Sequence, residues 1–481
     1  MIEFIAHNMA PLMFMGLILF MLYGYPAAFS LAAVGLFFGL IGIELGLISP
    51  DFMGNLTFQL ESVLRNDLLL AIPFFTLMGA ILERCGLAED LLEGFGQLFG
   101  GARGGLSYAV ILVGAVLGAI TGTVAASVIA MGLISLPIMM RYGYNVRHAT
   151  GVIAASGTIT QLIPPSLVLV ILADQLGQPV GEMYKGAMGA SAVQVLLFMA
   201  WVFILSIIKP DYMPALPPEA RTLRGWALAK RCIRGMVPSL ALIFIVLGTI
   251  FMGFATATEA GAMGVLGAFL LAWMNGKLTW NLTWQGMGTT MRITAMVVLI
   301  LIGARVFSLV FQGVGGKEWI EGFLVDLPGG QVGFLIAVNL FVFIIAFFLD
   351  FFEIAFIIVP LLAPAAEALG INLIWFGVLL GANMQTSFMH PPFGFALFYL
   401  RSIAPPTIKS SDIYWGAIPW VVLQLILVAL LIAFPELVTF FLDKEIVVDP
   451  NMEIIVPGGG GGGLDPLGAP AIDLGTAPKI E

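Results

Sequence analysis

The sequence predicts an all-α polytopic membrane protein that contains two inverted repeats, each with a re-entrant helical hairpin and a helix interrupted by Pro-Pro. Of its 481 residues, 60% are hydrophobic and only 10% are charged, and the mean hydropathy is +1.04. Soluble domains have about 45–50% apolar and about 25% charged residues. In addition, residues 137–165 align without a gap on residues 364–392, a constant difference of 227, and both copies end in Pro-Pro.

The repeated segment predicts a broken helix in each half of the chain. Pro-Pro interrupts a helix because neither ring nitrogen can donate a hydrogen bond and the preceding residue is pushed out of the α region. A membrane tolerates such a break only where the freed backbone faces protein or a water-filled cavity. Paired interrupted helices in corresponding halves indicate the binding site of a secondary transporter. The identical pairs are Pro137/Pro364, Gly143/Gly370, Asn145/Asn372, Ala155/Ala382, Pro164/Pro391 and Pro165/Pro392.

The hydrophobic stretches fix the predicted spans, at about 20 residues each. Two of them, 106–140 and 332–364, are too long for one simple span and carry Gly, Thr or Asp near the middle, so each predicts a re-entrant hairpin. This leaves about ten or eleven true crossings. The others lie near 9–29, 31–48, 68–83, 149–172, 188–208, 237–254, 258–274, 290–312, 374–400 and 416–441. Two such units joined by an odd number of spans have opposite orientations.

Between the halves lies one strongly basic stretch, which we expect to face the cytoplasm because short basic loops stay on that side. Its residues 225–236 form either an amphipathic helix on the headgroups, with Trp226 at the interface, or a plain solvated loop. From Asp443 the sequence turns polar and includes the glycine run 458–463, which predicts a flexible tail. The cations of the stretch are Lys209, Arg221, Arg224, Lys230, Arg231 and Arg234.

Several classes of function are disfavoured. A net charge of −9 argues against nucleic acid. Cys85 and Cys232 are far apart, and His7, His148 and His390 do not form a ligand set with them, so a metalloenzyme is not expected. The chain has no GxxxxGK[ST] loop for an ATP-driven pump and no convergent catalytic constellation. We therefore expect no enzyme activity and no cofactor, with energy supplied by an ion gradient.

In the first half, hydroxyl and glycine residues cluster at the middle of hairpin one and directly before the first Pro-Pro. Unwound carbonyls and hydroxyls suit a dehydrated Na⁺, and helix N-termini suit a carboxylate. At the hairpin, close packing of small residues in GxxxG spacing is an equal alternative. The candidate binding residues of this half are Gly118, Thr121, Gly122, Thr123, Ser127, Ser156, Gly157, Thr158 and Thr160.

In the second half, Asp350 and Glu353 interrupt an apolar run, and ionisable groups at membrane depth are functional by default. Asp350 lies opposite Thr123 in the repeat and is the predicted acidic ligand or orienter of a cation. Glu353 is a second ligand, a proton carrier or an interface carboxylate. His390 contacts an anion or is a satisfied buried histidine. The remaining candidates are Asn383, Gln385, Thr386 and Ser387.

Two further charged residues have structural alternatives. Arg305 either pairs with a carboxylate or extends toward an interface. Glu259, behind Thr256 and Thr258, is interpreted as part of a helix cap.

The motifs GAITGTVAAS, ASGTITQLIPPS, ATATEAGAMG, LDFFEIAFIIVPLLAP and the second Pro-Pro segment occur in the same order as in a known family. The chain resembles the large membrane subunit of TRAP (tripartite ATP-independent periplasmic) transporters over roughly residues 5–440. HPPFGFALFYLRSIAP resembles the branch associated with 2-oxoacids, mannitol or chloroaromatic acids. The sequence Phe351-Phe352-Glu353 departs from the small polar residues that usually follow the hairpin-two aspartate.

This resemblance implies an elevator, with a fixed scaffold and a mobile transport domain, in the bacterial inner membrane. It also implies Na⁺-coupled uptake of a small organic anion, a small four-helix membrane subunit and a periplasmic substrate-binding protein. A carrier or Na⁺/H⁺ antiporter of the same architecture that needs no binding protein is the alternative. Predicted Na⁺ ligands lie among Thr123, Ser156, Thr160, Asp350, Thr386 and Ser387.

The predicted organisation follows from the repeat and the resemblance together. The segments are N-terminal scaffold helices (1–67), the first inverted repeat (68–208), the basic linker (209–236), scaffold helices (237–289), the second inverted repeat (290–415), a C-terminal helix (416–442) and the tail (443–481).

Overall fold

A computed structural model describes residues 2–442 apart from 122, 222–224 and 326, and this part of the chain is helical throughout, without a strand. The helices of the first half are α1 (Ile2–His7), α2 (Met9–Leu22), α3 (Ala27–Glu44), α4 (Asn55–Leu64), α5 (Asp67–Arg84), α6 (Leu87–Phe99), α7 (Gly105–Thr121), α8 (Val124–Arg141), α9 (Val146–Thr158), α10 (Leu167–Gln175) and α11 (Val180–Ile208). The tail predicted from 443 lies outside the described residues.

The second half continues with α12 (Gly225–Phe251), α13 (Ala257–Met274), α14 (Trp280–Gly313), α15 (Gly316–Val325), α16 (Gly330–Ile345), α17 (Phe351–Glu353), α18 (Val359–Ala368), α19 (Leu373–Met384), α20 (Phe395–Ile403), α21 (Ser410–Ala433) and α22 (Glu436–Thr439). A π-helical turn, Ile354–Ile358, joins α17 to α18.

The prediction of a polytopic membrane protein is confirmed. Among the described residues, eight helices are long and apolar enough to cross a bilayer, and α4 and α5, bent by 43° at a short break, give a ninth. Four further apolar helices, α2, α7, α16 and α19, are shorter than the about 20 residues that a simple span requires. The expected ten or eleven crossings differ from this count because the stretches 9–29, 149–172 and 374–400 contain mainly shorter helices, while two of the eight long helices, α8 and Phe351–Ala368, are arms of the predicted hairpins.

The repeat in the sequence is also a repeat in helix boundaries. Helix α8 and the segment Phe351–Ala368 differ by 227 at both ends, and α9 and α19 begin 227 residues apart. Asn145 and Asn372 cap α9 and α19, since each side-chain oxygen accepts from a backbone amide of the first turn. Both Pro-Pro peptide bonds are cis. Each stretch predicted as a hairpin is two helices with a break between them.

Two groups of helix contacts can be distinguished, and α7 joins them because it packs against α5 and α6 of the first group and against α9 of the second. In one group α14 packs along α3, α5 along α13 and α6 along α12. The α3–α14 contact is very close, because a Cβ on Gly35 would lie 3.0 Å from the Phe307 Cα and one on Gly303 only 2.4 Å from the Ala28 carbonyl oxygen. In the other group, α9 packs against α7, α8 and α21, and α19 against α10, α11 and α21.

Two details differ from the sequence prediction. The apolar stretch 9–29 is interrupted, because α2 ends at Leu22 and Gly24, at φ +80°, turns the chain before α3. Residues 225–236 are helical, so a plain loop is wrong for them, and they are continuous with the spanning part of α12. Accordingly, α12 runs through the segment boundary placed at 236, and α14 through the one placed at 289.

Candidate functional site

The first break follows α9. A 3-10 turn, Ile159–Gln161, precedes the two prolines, and Ser166 then caps α10 by accepting from the Val168 amide. The Thr158 hydroxyl donates to the Ala155 carbonyl at 2.8 Å, and the Thr160 hydroxyl donates to the Gly157 carbonyl at 2.9 Å. Both side chains are fully buried. Because each hydroxyl donates its hydrogen to a carbonyl, its oxygen can still accept from another partner through its lone pairs.

The second break has a similar design. Helix α19 ends at Met384 and a 3-10 turn, Gln385–Phe388, follows. Thr386 donates to the Asn383 carbonyl at 2.7 Å, and Ser387 donates to the Met384 carbonyl at 2.8 Å. Thr160 and Ser387, 227 residues apart, therefore make the same bond, whereas Gln385 stands at the position of Thr158 and Thr386 at that of Ile159.

Both breaks contain buried oxygens without a hydrogen-bond partner. The Ser156 Oγ and the Asn383 Oδ1 lie on residues 227 apart, and the first break also has the Gln161 Oε1. The Asn383 amide nitrogen donates to both the backbone oxygen and the side-chain oxygen of Asn339, at 2.7 and 3.0 Å, so its orientation is fixed. A buried acceptor left unpaired costs about 1–3 kcal/mol. A cation bound beside each oxygen would supply the missing partner.

Hairpin one lies directly on the first break through glycine contacts. A Cβ on Gly114 would lie 2.7 Å from the Ser156 carbonyl oxygen, and one on Gly118 would lie 2.8 Å from the Thr160 Cα. Gly157 faces Val128 of α8 just as closely. The small-residue packing alternative thus describes Gly118, and this packing is what brings the hairpin to the candidate residues.

The turn of hairpin one is described in part. Thr123 is the N-cap of α8 in an extended conformation, and its carbonyl accepts from the amide of Ser127, whose side chain is buried. Gly122 and the side chain of Thr121 lie outside the described part of the structure.

In hairpin two, Asp350 and Glu353 form a capping box. The Glu353 amide donates to the Asp350 Oδ1 at 2.9 Å, and the Asp350 amide donates to the Glu353 Oε2 at 2.9 Å. Within the described ranges, no Lys or Arg forms a salt bridge with either carboxylate. Two acidic side chains therefore sit at the start of a helix, whose amides favour negative charge. Thr123 and Asp350, matched in the repeat, are both N-caps.

His390 is held by aromatic rings. Its imidazole stacks on Phe347, with ring centroids 3.9 Å apart, and meets the edge of Phe343 at 4.5 Å. The residue is buried at the end of the second break. No other histidine shares this environment among the described residues, since His148 lies near Ser107 and Trp420 and His7 ends α1.

Two glutamines that the sequence analysis did not select contact the breaks. Gln194 of α11 exchanges two amide hydrogen bonds with Gln385, at 2.5 and 3.2 Å, and Gln424 of α21 donates to the Thr158 hydroxyl at 2.9 Å. All four side chains are buried. The sequence does give a signal for Gln194 and Gln424, since each is a single amide in a long apolar helix. Burying such a side chain in a membrane costs free energy unless it has a hydrogen-bond partner.

The two charged residues with structural alternatives have different outcomes. Glu259 forms a capping box with Thr256, which confirms the structural interpretation. Arg305 makes no salt bridge with a carboxylate of the described chain, and its buried Nε has no hydrogen-bond partner.

Comparison with known proteins gives one consistent result. A family model described as "Tripartite ATP-independent periplasmic transporter, DctM component" matches residues 14–437. The C4-dicarboxylate TRAP transporter large permease protein DctM of Pseudomonas aeruginosa is 29% identical over 391 residues, 81% of this chain and 89% of that protein. The ectoine TRAP transporter large permease protein TeaC of Halomonas elongata is 27% identical over 424 residues, 88% of this chain and 96% of that protein.

A solved structure shows the same kind of fold. The YdaH transporter of Alcanivorax borkumensis superposes with a TM-score of 0.57 at 14% identity, covering 80% of this chain and 87% of that one.

Proposed function

The chain belongs to the DctM family of tripartite ATP-independent periplasmic transporters, and from this premise we propose that it couples inward Na⁺ movement to uptake of a small carboxylate. As a large permease subunit it is a multi-pass protein of the inner membrane and not an enzyme. The observation that carries the proposal is the pair of unpartnered buried oxygens at Ser156 and Asn383. They lie at equivalent helix breaks, where backbone carbonyls are also freed.

Na⁺ suits these breaks by its chemistry. It is a hard cation that takes neutral hydroxyl, amide and carbonyl oxygens, and each break offers all or most of these types. Ser156 and Thr160 would serve the first site, with Thr123 at the adjoining hairpin turn. Asn383, Thr386 and Ser387 would serve the second, with Asp350 at its hairpin turn. Half-helix ends and unwound carbonyls bind coupling ions in this way in other transporters.

Contacts at the helix ends support an inverted arrangement of the halves. Hairpin one begins and ends beside the basic linker, because Leu216 donates to the Gly100 carbonyl and Asn145 donates to the Tyr212 carbonyl. The ends of hairpin two meet each other through the Gln331 side chain and the Leu369 carbonyl, just before α19.

Helix α11 connects the two regions where the hairpin ends lie, namely the start of α19 and the basic linker. Its Gly186 packs against Ile374 at the start of α19, and the helix ends at Ile208 beside the linker. The 22 residues between them rise about 33 Å, close to the about 30 Å of a hydrocarbon core. This geometry supports hairpins that enter from opposite faces, and the proposed elevator would carry both past α2–α5 and α12–α14.

The substrate proposal rests on the relatives and on charge. The two relatives are named for a C4-dicarboxylate and for ectoine, and both substrates carry a carboxylate. The N-terminal amides at the turn of hairpin one, where the Thr123 side chain makes no cap bond, would receive such a group, with Na⁺ neutralising its charge. The tripartite family implies a small four-helix membrane subunit and a periplasmic binding protein as partners.

The test is uptake into vesicles reconstituted with the small subunit and the binding protein. We expect substrate accumulation with an inward Na⁺ gradient, none when choline replaces Na⁺ at constant pH, and no effect of ATP. A proton gradient imposed without Na⁺ is the control for H⁺ coupling. Undiminished uptake in choline would refute the Na⁺ proposal.

A carrier that needs no binding protein is the second candidate, since the structure of the YdaH transporter shares the fold. Vesicles that lack the soluble protein separate the two. Full uptake without it would favour the second candidate.

A further inference from the structure

Two buried glutamines join each half of the protein to the break of the other half. Gln194 lies fourteen residues after Val180, the first residue of α11, and Gln424 lies fourteen residues after Ser410, the first residue of α21. Their partners, Gln385 and Thr158, are 227 residues apart and also equivalent. The closing helix of the first half thus bonds to the second break, and the closing helix of the second half bonds to the first.

These contacts fix the groups that surround the proposed cation sites. The Thr158 hydroxyl donates to the Ala155 carbonyl and accepts from Gln424, so its rotamer is set from both sides. Gln385 is the first residue of the 3-10 turn that carries Thr386 and Ser387, and its amide is held at both ends by Gln194. Neither glutamine needs to touch an ion to control where the hydroxyls point.

We propose that Gln194 and Gln424 are positioning residues that hold each break in its ion-binding geometry and thereby couple the two sites. The inference rests on the proposed Na⁺ coupling. Because each break is fixed by a helix of the opposite half, an ion that orders one break restrains the helix to which it is bonded. Since that helix belongs to the half that contains the other break, the restraint reaches the other ion site. This is the physical route by which one bound ion would favour binding of the second.

The experiment measures uptake against Na⁺ concentration for Gln194→Leu and Gln424→Leu. We expect the Na⁺ concentration for half-maximal uptake to rise about tenfold in each variant, the Hill coefficient to fall, and uptake at saturating Na⁺ to stay within about twofold of wild type. Gln194→Met and Gln424→Met, closer in shape, should give the same shift if leucine prevents membrane insertion.

Trp375→Phe is the matched control. It removes a buried hydrogen bond between α19 and α21, from the Trp375 indole to the Leu431 carbonyl at 2.9 Å. Trp375 precedes the end of α19 by nine residues, about 14 Å of helix, so the Na⁺ dependence should not change.

Each outcome decides the question. An unchanged Na⁺ half-saturation in the glutamine variants, or failure of both leucine and methionine variants to accumulate in the membrane, would overturn the inference and leave these residues a packing role. Wild-type uptake that ignores Na⁺ would instead refute the proposed function itself, and this needs no variant.

Discussion

Replacing Asp350 by Asn separates the structural role of this side chain from its charge. In the capping box the Asp350 oxygen accepts from the Glu353 amide, and an asparagine oxygen can accept in the same way. Asn and Asp are nearly equal as N-caps, whereas Ala costs about 1 kcal/mol. Asp350→Asn should therefore leave the stability of the protein almost unchanged and remove one negative charge from the hairpin turn.

The lost charge should have a much larger effect on ion binding. A carboxylate about 4–8 Å from a cation contributes about 2–4 kcal/mol at an effective dielectric constant near 20. Since about 1.4 kcal/mol is a tenfold change, the Na⁺ concentration for half-maximal uptake should rise by roughly 30-fold or more. Glu353→Gln keeps the other bond of the box, because a glutamine at this position also accepts from the N-cap amide.

The assay combines membrane-inserted protein, thermal unfolding in detergent and Na⁺-dependent uptake for Asp350→Asn, Glu353→Gln and Asp350→Ala. We expect normal insertion of Asp350→Asn with severely impaired uptake, and a lower unfolding temperature for Asp350→Ala alone. Normal uptake by Asp350→Asn at low Na⁺ would refute the ion role. Failure of this variant to insert would show that the charge serves folding.

Three further predictions follow from the same contacts. Thr160→Ala and Ser387→Ala should each weaken Na⁺-dependent uptake about fivefold, because each loses an oxygen beside a break and a hydrogen bond worth about 1 kcal/mol. Uptake equal to that of the wild type at limiting Na⁺ would contradict a role for these two hydroxyls in ion binding. Gly118→Ala places a Cβ 2.8 Å from the Thr160 Cα, so overpacking should cost about 1–3 kcal/mol in unfolding measurements, whereas Gly248→Ala, with open space around it, should not. A cysteine at the exposed Glu219, in a background without Cys85 and Cys232, should react with an impermeant thiol reagent only after the membrane is opened; labelling in intact cells would invert the topology.

The sequence predicted the repeat of breaks and hairpins because their boundaries depend on local signals. Pro-Pro, the Asn145 and Asn372 caps and the glycines at the turns act within a few residues, so both ends of α8 and Phe351–Ala368 and the starts of α9 and α19 recur with a difference of 227. The D-x-x-E spacing of Asp350 and Glu353 is also a local signal, because it is the spacing of a capping box. The sequence analysis interpreted these residues by their charge and not as a cap.

The crossed glutamine pairs could not be predicted because they depend on tertiary approach. Gln194 and Gln385 are 191 residues apart, and Gln424 and Thr158 are 266 apart. A lone amide in an apolar helix indicates that a partner exists, but nothing local identifies which residue that partner is. The sequence left helix or loop open for the start of α12 for a related reason: its Arg231 pairs with Asp90 and Glu93 on α6, and only the folded chain shows these contacts.

The 34-residue helix α14 fixes the depth of the protein in the bilayer. It would be about 51 Å long at 1.5 Å per residue, whereas the hydrocarbon core is about 30 Å thick. Residues 293–313 of this helix are mostly apolar and would account for that thickness. Its first third, from Trp280 to Arg292, is rich in amides, hydroxyls and indoles and therefore lies among headgroups and water.

The position of α14 along the membrane normal also sets the position of the helices that contact it. Arg84, near the end of α5, contacts the Thr289 hydroxyl, so that end of α5 must also stand outside the hydrocarbon. Arg305, thirteen residues beyond Arg292, then lies about 20 Å further along the helix, well inside the apolar layer. In the proposed elevator, a helix longer than the hydrocarbon core is thick would serve as the fixed reference along which the displacement of the hairpins is measured.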